Sequence, residues 1–289
     1  YNAGETVSIL ASPNQYYAFK NWSGGWNGTS PSVTITMDGD KNIKGNFEKV
    51  DLDEDGVLNQ NDLCQGTPKG AIVDSSGCAA SQKDTDGDGV TDNLDQCDNT
   101  SSSAAIVSSS GCEVDIFYLD ENGVTIKAIN GAQVGMKQSF NGQQYTVVSS
   151  DQLQNMVNTG QDLTYVVTSK VTDMGELFKD KQVIGDISTW DVSGVWNMTS
   201  TFEDTNVDID ISNWDVSRVQ RFNYMFKNST FNGDISNWDV SLSNPDPNHC
   251  CINQMTSMFE DSNFNGDISN WDLSNTYVLN RMFKNSDFT

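Results

Sequence analysis

The sequence DLDEDGVLNQNDLC at residues 51–64 returns, with small changes, as DTDGDGVTDNLDQC at residues 84–97. In both copies aspartate fills the first, third, fifth and twelfth positions, glycine fills the sixth, and valine offers a backbone carbonyl at the seventh. A hard cation such as Ca²⁺ collects six to eight oxygen ligands, and a glycine permits the sharp turn between them. The spacing predicts two calcium loops with these ligands: Asp51, Asp53, Asp55, Val57 and Asp62 in the first, and Asp84, Asp86, Asp88, Val90 and Asp95 in the second.

The two loops differ from an EF-hand. No amphipathic helix flanks either copy, and the twelfth position holds the shorter Asp instead of Glu. Asn59 and Asp92, at the ninth position, could add a ligand directly or through water. The alternative is a solvated acidic linker, but such a linker would not repeat the same offsets twice beside a matching cysteine.

The composition around the loops changes abruptly. Residues 51–113 contain 13 acidic residues, the only lysines are Lys69 and Lys83, and apolar periodicity is lost. A segment of this kind cannot bury enough apolar surface to offset the entropy of ordering its chain. Like charges a few ångströms apart would drive it open. We therefore expect bound calcium to order this segment.

Both copies resemble the thrombospondin type 3 repeat, with the pattern D-x-D-x-D-G-V-x-x-x-x-D-x-C. GTPKGAIVDSSGC follows the first copy, whereas the second ends in NTSSSAAIVSSSGC and lacks the Thr-Pro-x-Gly and an equivalent of Asp74. Extracellular modules of this chemistry bind calcium at about 10⁻⁴–10⁻³ M. We predict the disulfides Cys64–Cys78 and Cys97–Cys112, with Cys78–Cys97 pairing as the rival. Such cysteines indicate an oxidising compartment.

Residues 1–48 are predicted to form a small β module. Apolar residues alternate at 7–10, 17–19 and 33–37, between Gly- and Asn-rich turns. The stretches GETVSILASP, FKNWSGG and VTITMDGDKNIKGNF resemble the internalin-type B repeat, which implies a β-grasp-like extracellular spacer. Trp22 and Trp26 could stack on a sugar, but we favour a role in a very small core.

Residues 114–169 regain strand-like patterns and are predicted to form a β-rich capping module. Strands are expected at 114–118, 124–126 and 145–148, with Asn-Gly hairpin turns beginning at 122, 130 and 141. A short helix is expected from Ser150 to Val157, with Ser150 as its N-cap.

Residues 170–289 are repeats. Each of four tryptophans follows a D-I-S-(N/T) tetrapeptide, at steps of 24, 24 and 33 residues. Five phenylalanines keep the same spacing, and the nine-residue excess is an insertion at 243–251 that carries His249, Cys250 and Cys251. A short strand is expected at Trp238–Val240, and in the preceding unit a short helix is expected over residues 219–226 with Ser217 as its cap. No unit can bury its aromatic residues alone, so neighbouring units must stack.

The repeats resemble the BspA-like surface-protein family, also found in mycoplasmal and listerial lipoproteins. This implies a leucine-rich-repeat-like solenoid in which Trp, Phe, Met and Val replace Leu. Val207–Asp210 lacks the Phe-Asn-Gly turn of the other units, so that coil could be distorted. The aspartates after each tryptophan would stack into a row that either binds cations or caps local turns; we favour the second reading. These aspartates are Asp191, Asp215, Asp239 and Asp272.

Charge and composition narrow the functional classes. The chain has 40 acidic and 16 basic residues, a net charge of −24, which argues against binding nucleic acid or anionic lipid. It has one histidine and lacks a catalytic motif, so we expect no enzyme activity. No signal peptide or apolar run of membrane-spanning length occurs. The chain begins without Met and ends within a repeat, which we interpret as a piece of a longer polypeptide.

The sequence therefore predicts a multidomain, mainly β protein with short helices: a β-grasp-like module, a calcium-ordered loop linker, a β-rich cap and a leucine-rich-repeat-like solenoid. We expect an extracellular or bacterial cell-surface adhesin, or a filament or stalk protein, that attaches to cells, glycans or protein partners or associates with itself. The alternative is a noncatalytic accessory region of a secreted polysaccharide-degrading enzyme. The state of Cys250 and Cys251 (vicinal disulfide, intermolecular bond or free thiols) stays open. The domain bounds are 1–48, 49–113, 114–169 and 170–289.

Overall fold

A computed structural model describes residues 2–241 and 253–289, which form two compact units, Tyr1–Glu113 and Val114–Thr289. Strands, turns and loops dominate, and the described ranges contain one short α-helix. The insertion at 243–251 lies outside the described residues, and so do the alternatives for Cys250 and Cys251. The fold is mainly β and loops, as the sequence predicted.

The first unit begins with four strands that form two separate two-stranded antiparallel sheets. In the first sheet β1 pairs with β3, and in the second β2 pairs with β4. Alternation along β3 buries Val33 and Ile35 and exposes the residues between them, as expected for a sheet with one buried face. The strands are β1 (Thr6–Leu10), β2 (Tyr17–Gly24), β3 (Ser32–Thr36) and β4 (Ile43–Lys49).

Trp22 belongs to the core of this module. Its ring is buried with Ala11, Val33 and Ile35, and its Nε1–H donates to the backbone carbonyl of Ser30 at 2.9 Å. Trp26 is partly buried and packs against the same cluster. The burial of Trp22 supports the structural role that the sequence favoured, and Trp26 contributes to the same core.

Residues 51–113 contain little regular secondary structure. The described elements are one 3₁₀ turn, Ala80–Gln82, and the isolated bridges Val73–Ala79 and Val107–Glu113. The large apolar side chains of this stretch face solvent: Leu52, Leu63, Ile72 and Leu94 are 61–94% exposed. Hydrophobic burial therefore contributes little to this segment, and its order must come from polar contacts and covalent bonds.

The second unit opens with a β-rich module around a single helix. A hairpin joins β5 to β6, and a three-stranded sheet has the order β7-β8-β9, antiparallel for β7–β8 and parallel for β8–β9. Asn141 and Gly142, both at positive φ, form the turn between β7 and β8. The elements are β5 (Phe117–Leu119), β6 (Ile126–Ala128), β7 (Lys137–Phe140), β8 (Gln143–Ser149), α1 (Ser150–Asn158) and β9 (Val166–Lys170).

Two boundaries of this module differ from the sequence prediction. The N-cap of α1 is Ser149 and not Ser150: Ser149 Oγ accepts from Gln152 N–H, and the Gln152 side chain accepts from Ser149 N–H, which is a capping box. The strand predicted from residue 114 begins at Phe117, because the side chain of Gln138 already bonds the N–H of Ile116 and the carbonyl of Val114.

Each repeat of residues 170–289 forms a coil whose backbone pairs with the next coil. Phe222 N–H donates to the carbonyl of Gln254 in the following coil at 2.8 Å, whereas Met225 N–H donates back to Phe222 at 3.2 Å. Alternate N–H groups therefore bridge coils, and the remainder close local turns. The same alternation recurs in the other coils.

The helix predicted over residues 219–226 is wrong. Tyr224 and Asn228 adopt positive φ values of 58° and 52°, which an α-helix does not allow. Ser217 is no helix cap; its N–H donates to Asp215 Oδ1. Consecutive turns each direct one apolar side chain inward, which places apolar residues three and four positions apart. A helix has the same spacing, and the sequence pattern therefore did not distinguish the two.

The strand predicted at Trp238–Val240 is also wrong: Trp238 N–H closes a turn onto the carbonyl of Ile235. Parallel pairing lies elsewhere in the coil, in isolated bridges that join Asp173 to Asn197, Asn197 to Arg221 and Arg221 to Gln254. Two short parallel strands continue this ladder, β10 (Asn253–Gln254) and β11 (Thr276–Val278).

Stacked aromatic rings form the core between coils. Equivalent phenylalanines lie 5.4–5.5 Å apart, ring centroid to centroid, with interplanar angles of 8° or less. The pair Phe226–Phe259, which spans the nine-residue insertion, keeps this spacing, so the insertion leaves the register intact. Val207 is buried where other coils place a phenylalanine, and the Phe202–Phe226 stack of that coil is regular. The phenylalanines are Phe178, Phe202, Phe226, Phe259 and Phe283.

The tryptophan indoles add a polar link between coils. Trp214 Nε1–H donates to the carbonyl of Ile187 at 3.2 Å, and Trp238 Nε1–H donates to the carbonyl of Ile211 at 3.0 Å. Each indole thus satisfies its buried donor on the preceding coil. The contact links each tryptophan to the backbone of the D-I-S-(N/T) tetrapeptide one repeat earlier.

Replacing Phe226 by Ala should destabilise the second unit by about 3–5 kcal/mol, because the ring is fully buried and stacks on both neighbouring coils. Tyr277→Ala is the matched control; its side chain is 80% exposed, and its effect should stay within about 0.5 kcal/mol. Urea unfolding followed by tryptophan fluorescence measures both variants. Equal losses would contradict a core built from stacked rings.

Candidate metal centre

The first acidic loop brings three carboxylates together. One oxygen from each of Asp51, Asp53 and Asp55 lies within 4.8 Å of the other two. Three of their oxygens, Asp51 Oδ1, Asp53 Oδ1 and Asp55 Oδ2, are buried, and none accepts a hydrogen bond within the described parts of the chain. Such a group of negative oxygens is unfavourable by itself, because the charges repel one another and lack water.

The remaining oxygens of the same carboxylates hold the loop in shape. Asp51 Oδ2 accepts from Gly56 N–H at 3.0 Å, and Asp55 Oδ1 accepts from Val57 N–H at 2.7 Å. Asp53 Oδ2 accepts from two N–H groups, those of Gly66 and Thr67, at 2.7 and 2.8 Å. Each aspartate thus uses one oxygen to fix itself to the backbone and directs the other into the group.

A hydrogen bond across the loop also affects the charge of Asp53. The N–H of Thr67 is the main cause that lowers the pKa of this carboxyl below its ordinary value. The carboxylate is therefore ionised at neutral pH, as a cation ligand must be.

Asp62 lies beside the group without joining it. It is 8% exposed, and its Oδ1 accepts from Cys64 N–H at 2.8 Å. A β-carbon on Gly77 would overlap Asp62 Oδ1 and would lie 3.0 Å from Asp55 Oδ2. Only a glycine at residue 77 therefore allows both carboxylates their present positions.

The second loop gathers Asp84, Asp86 and Asp88 in the same way. Here Asp88 Oδ2 is buried and accepts no hydrogen bond from the described residues, while Asp88 Oδ1 accepts from Val90 N–H at 2.7 Å. Asp95 Oδ1 accepts from Cys97 N–H at 2.7 Å. A β-carbon on Gly111 would overlap this oxygen, as at Gly77.

The ninth-position residues have structural partners. Asn59 is buried and its Oδ1 accepts from Leu52 N–H at 2.8 Å. Both oxygens of Asp92 accept from Thr85, one from its N–H and one from its hydroxyl, each at 2.8 Å. The Thr85 hydroxyl is the main cause that lowers the pKa of Asp92. Neither residue belongs to the groups of three carboxylates. In the structure, each bonds a residue seven positions earlier and so joins the two ends of its loop.

Both predicted disulfides are confirmed. Cys64 pairs with Cys78 and Cys97 with Cys112, with Cα–Cα distances of 5.0 and 5.1 Å; the rival pairing of Cys78 with Cys97 is wrong. Closing each loop of about 15 residues contributes roughly 3 kcal/mol in the chain-entropy model.

Threonines that the sequence analysis overlooked connect the disulfides to the aspartates. Thr67 N–H donates to Asp53, and its hydroxyl reaches the carbonyls of Cys64 and Gly77 at 2.9 and 2.8 Å. Thr100 repeats this arrangement in the second copy: its N–H donates to Asp86 at 2.7 Å. The sequence pattern that identifies these threonines is C-x-x-T, which both copies share. The second copy keeps the threonine but lacks the Pro and Gly of Thr-Pro-x-Gly.

Ser108 takes the place of Asp74. Asp74 Oδ1 accepts from Ser76 and from Cys78 N–H; the Ser76 hydroxyl is the main cause that lowers the pKa of Asp74. In the second copy Ser108 Oγ accepts from Cys112 N–H at 3.1 Å. The turn before the last cysteine therefore keeps its hydrogen bond without the charge.

The aspartates that follow the repeat tryptophans cap turns of their own coils. In each, Oδ1 accepts from the N–H of the serine two residues later, at 2.9–3.1 Å. This is the local role that the sequence favoured over a cation-binding row. The four are Asp191, Asp215, Asp239 and Asp272.

Five ranges of the chain match three known families. Residues 37–71 and 74–104 match the thrombospondin type 3 repeat, residues 1–51 match the divergent InlB B-repeat domain, and residues 147–246 and 243–289 match the Mycoplasma protein of unknown function DUF285. No curated protein and no solved structure matches the chain. The first two resemblances are confirmed; the BspA-like assignment of the repeats stays a prediction. Over the described residues, no helix combines the length and the apolar character that crossing a bilayer requires.

Replacing Gly77 by Ala should open the first disulfide loop, because the new β-carbon would displace Asp62, which holds Cys64 N–H. Losing that contact should speed reduction of Cys64–Cys78 by dithiothreitol about tenfold. Mass spectrometry of alkylated thiols gives the rate.

Gly70→Ala is the matched control for Gly77→Ala. Gly70 also has positive φ but nothing lies within 4 Å of an added β-carbon, so it imposes the backbone strain alone. Equal reduction rates in the two variants would show that the contact with Asp62 is unimportant.

Proposed function

We propose that this chain is a calcium-stabilised extracellular surface protein that acts as an adhesin or as a filament or stalk protein and carries no catalytic activity. The observation that carries the proposal is the set of buried carboxylate oxygens in residues 51–88 that lack hydrogen-bond donors in the described chain. Buried charges occur in proteins when they are paired or coordinate a metal. Calcium supplies the missing positive charge.

The donor set fits calcium. All side-chain groups that converge are carboxylates, and hard oxygen ligands select Ca²⁺ over softer transition metals. The lysines nearest in sequence have other partners, since Lys69 pairs with Glu54 and Lys83 with Asp74. We propose that the carbonyls of Val57 and Val90, together with Asp62 and Asp95, complete the two ligand sets.

The contacts of Asp53 and Asp86 explain how such sites would stiffen the segment. Asp53 Oδ2 accepts from Thr67 N–H, and Asp86 Oδ2 accepts from Thr100 N–H. Each threonine also contacts the disulfide loop of its own repeat, and the second oxygen of each aspartate lies in or beside the group of three. Fixing the carboxylates therefore fixes the backbone on both sides of each cysteine. Disulfides persist in oxidising compartments, which supports a location outside the cell, where millimolar calcium would fill sites of this class.

The second unit supports the role in attachment. Its coils pair through backbone hydrogen bonds and stacked rings at a step of one repeat, which supports a leucine-rich-repeat-like solenoid for residues 170–289. A solenoid of this kind offers an extended surface to a glycan, a protein or another copy. We propose that residues 1–48 act as a β-grasp-like spacer and residues 114–169 as the cap.

Chelation should unfold the first unit selectively. With calcium ten- to a hundredfold above Kd, each filled site adds roughly 1–3 kcal/mol, so chelator should abolish protection of the amides of Gly56, Gly66 and Thr67, which bond the aspartates. The amides of Phe222 and Phe226 in the aromatic core should keep their protection and serve as the internal control. Hydrogen exchange with mass spectrometry measures both sets. Unchanged exchange in the first unit would reject structural metal.

Adhesion should depend on the repeat surface and not on catalysis. The intact chain should bind a subset of a glycan array or a cell-surface protein panel, and binding should weaken when calcium is removed if both units contribute. Heat-unfolded protein gives the background. If the folded protein binds none of the probes in the presence of calcium, the chain is a structural stalk and not an adhesin.

A further inference from the structure

The two acidic loops share their aspartate spacing but differ in how many carboxylate oxygens are free to bind a cation. In the first loop all three aspartates of the group keep a buried oxygen without a donor in the described chain: Asp51 Oδ1, Asp53 Oδ1 and Asp55 Oδ2. In the second loop Asp88 Oδ2 is the corresponding oxygen. The first position of the second loop, Asp84, is exposed, whereas Asp51 is half-buried.

Backbone donors cause the difference at the first position. Asp84 accepts two hydrogen bonds, from Gly87 N–H to Oδ1 at 2.8 Å and from Gly89 N–H to Oδ2 at 2.9 Å. Among the described residues, the one donor to Asp51 is Gly56 N–H, the equivalent of Gly89, which bonds Oδ2. A cation in the second loop must therefore share or replace a hydrogen bond of Asp84, whereas Asp51 Oδ1 is available.

The third position shows the same contrast. Asp53 collects both of its donors, Gly66 and Thr67, on Oδ2 and leaves Oδ1 for the group. Asp86 divides its donors: Thr100 N–H bonds Oδ2 at 2.7 Å and Asp88 N–H reaches Oδ1 at 3.3 Å. Both oxygens of Asp86 are therefore engaged in part.

The twelfth-position aspartate lies against a glycine in both loops. A β-carbon on Gly77 would overlap Asp62 Oδ1 and would lie 3.0 Å from Asp55 Oδ2, so both carboxylates approach this glycine. A β-carbon on Gly111 would overlap Asp95 Oδ1 in the same way, so the twelfth position does not distinguish the two loops. Asp92, where the first loop has Asn59, adds no free ligand oxygen to the second loop, because both of its oxygens accept from Thr85.

We propose, on the basis of the calcium role above, that the two loops are not equivalent: the first binds calcium about tenfold more tightly and fills before the second. A tenfold ratio corresponds to about 1.4 kcal/mol, which is the net worth of the one or two hydrogen bonds that the second loop must give up. The first loop is then occupied over a wide range of calcium concentrations, and the occupancy of the second loop changes with the external calcium concentration.

Paired variants separate the two sites. Asp84→Asn leaves the first loop as the intact site, and Asp51→Asn leaves the second; the substitutions are isosteric and remove equivalent ligands. Isothermal titration of the chelated full chain with CaCl₂ should give a Kd about tenfold lower for Asp84→Asn than for Asp51→Asn. Equal values or the reverse order would overturn the proposal. No heat with either variant or with the unaltered chain would reject the calcium role itself.

A measurement on the unaltered chain guards against misfolded variants. The amides of Gly56 and Gly89 donate to equivalent oxygens of Asp51 and Asp84, so their hydrogen exchange reports the two loops through matched bonds. As calcium is raised, Gly56 should gain protection at about a tenth of the concentration that protects Gly89. Simultaneous protection, or protection of Gly89 first, would contradict ordered filling.

Discussion

Carboxylate oxygens buried within 4.8 Å of one another repel unless a positive charge lies among them, and this constraint governs residues 51–113. Little apolar burial opposes the repulsion there, since Leu52, Leu63, Ile72 and Leu94 face solvent. Hydrogen bonds from Gly56, Gly66 and Thr67 fix the aspartates of the first loop, and Gly89 and Thr100 bond those of the second. Two disulfides close the loops. Disulfides and backbone hydrogen bonds to carboxylates thus take the place of a hydrophobic core in this segment.

Residues 170–289 are stabilised by apolar packing instead. Equivalent phenylalanines stack at 5.4–5.5 Å, and alternate backbone N–H groups bond the next coil. Because each contact repeats between neighbouring coils, the stack accommodates the insertion after Ser241 without losing its register at Phe259. Residues 51–113 and residues 170–289 are therefore held by different contacts: disulfides and hydrogen bonds to carboxylates in the first, stacked rings and coil-to-coil hydrogen bonds in the second.

The sequence predicted well wherever a local pattern has one physical solution. The alternation in residues 33–37 has the burial pattern of β3, and Asn141-Gly142 makes the expected hairpin turn. The cysteine pairing followed from the repeat resemblance. Prediction failed for residues 219–226, since turns with positive φ at Tyr224 and Asn228 place apolar residues at the same steps of three and four as a helix does.

The sequence by itself determined the period of the repeats, the aspartates that are grouped in each loop and the composition that denies residues 51–113 an apolar core. Only the tertiary structure decided which oxygen of each carboxylate is free, because the donors to Asp53 and Asp86 come from Gly66, Thr67 and Thr100, 13 or 14 residues away. It likewise decided that coil N–H groups bond the next coil instead of an earlier turn. The physical reason is the same in both cases: a hydrogen bond depends on which groups the folded chain brings within about 3 Å, and spacing along the sequence does not record this.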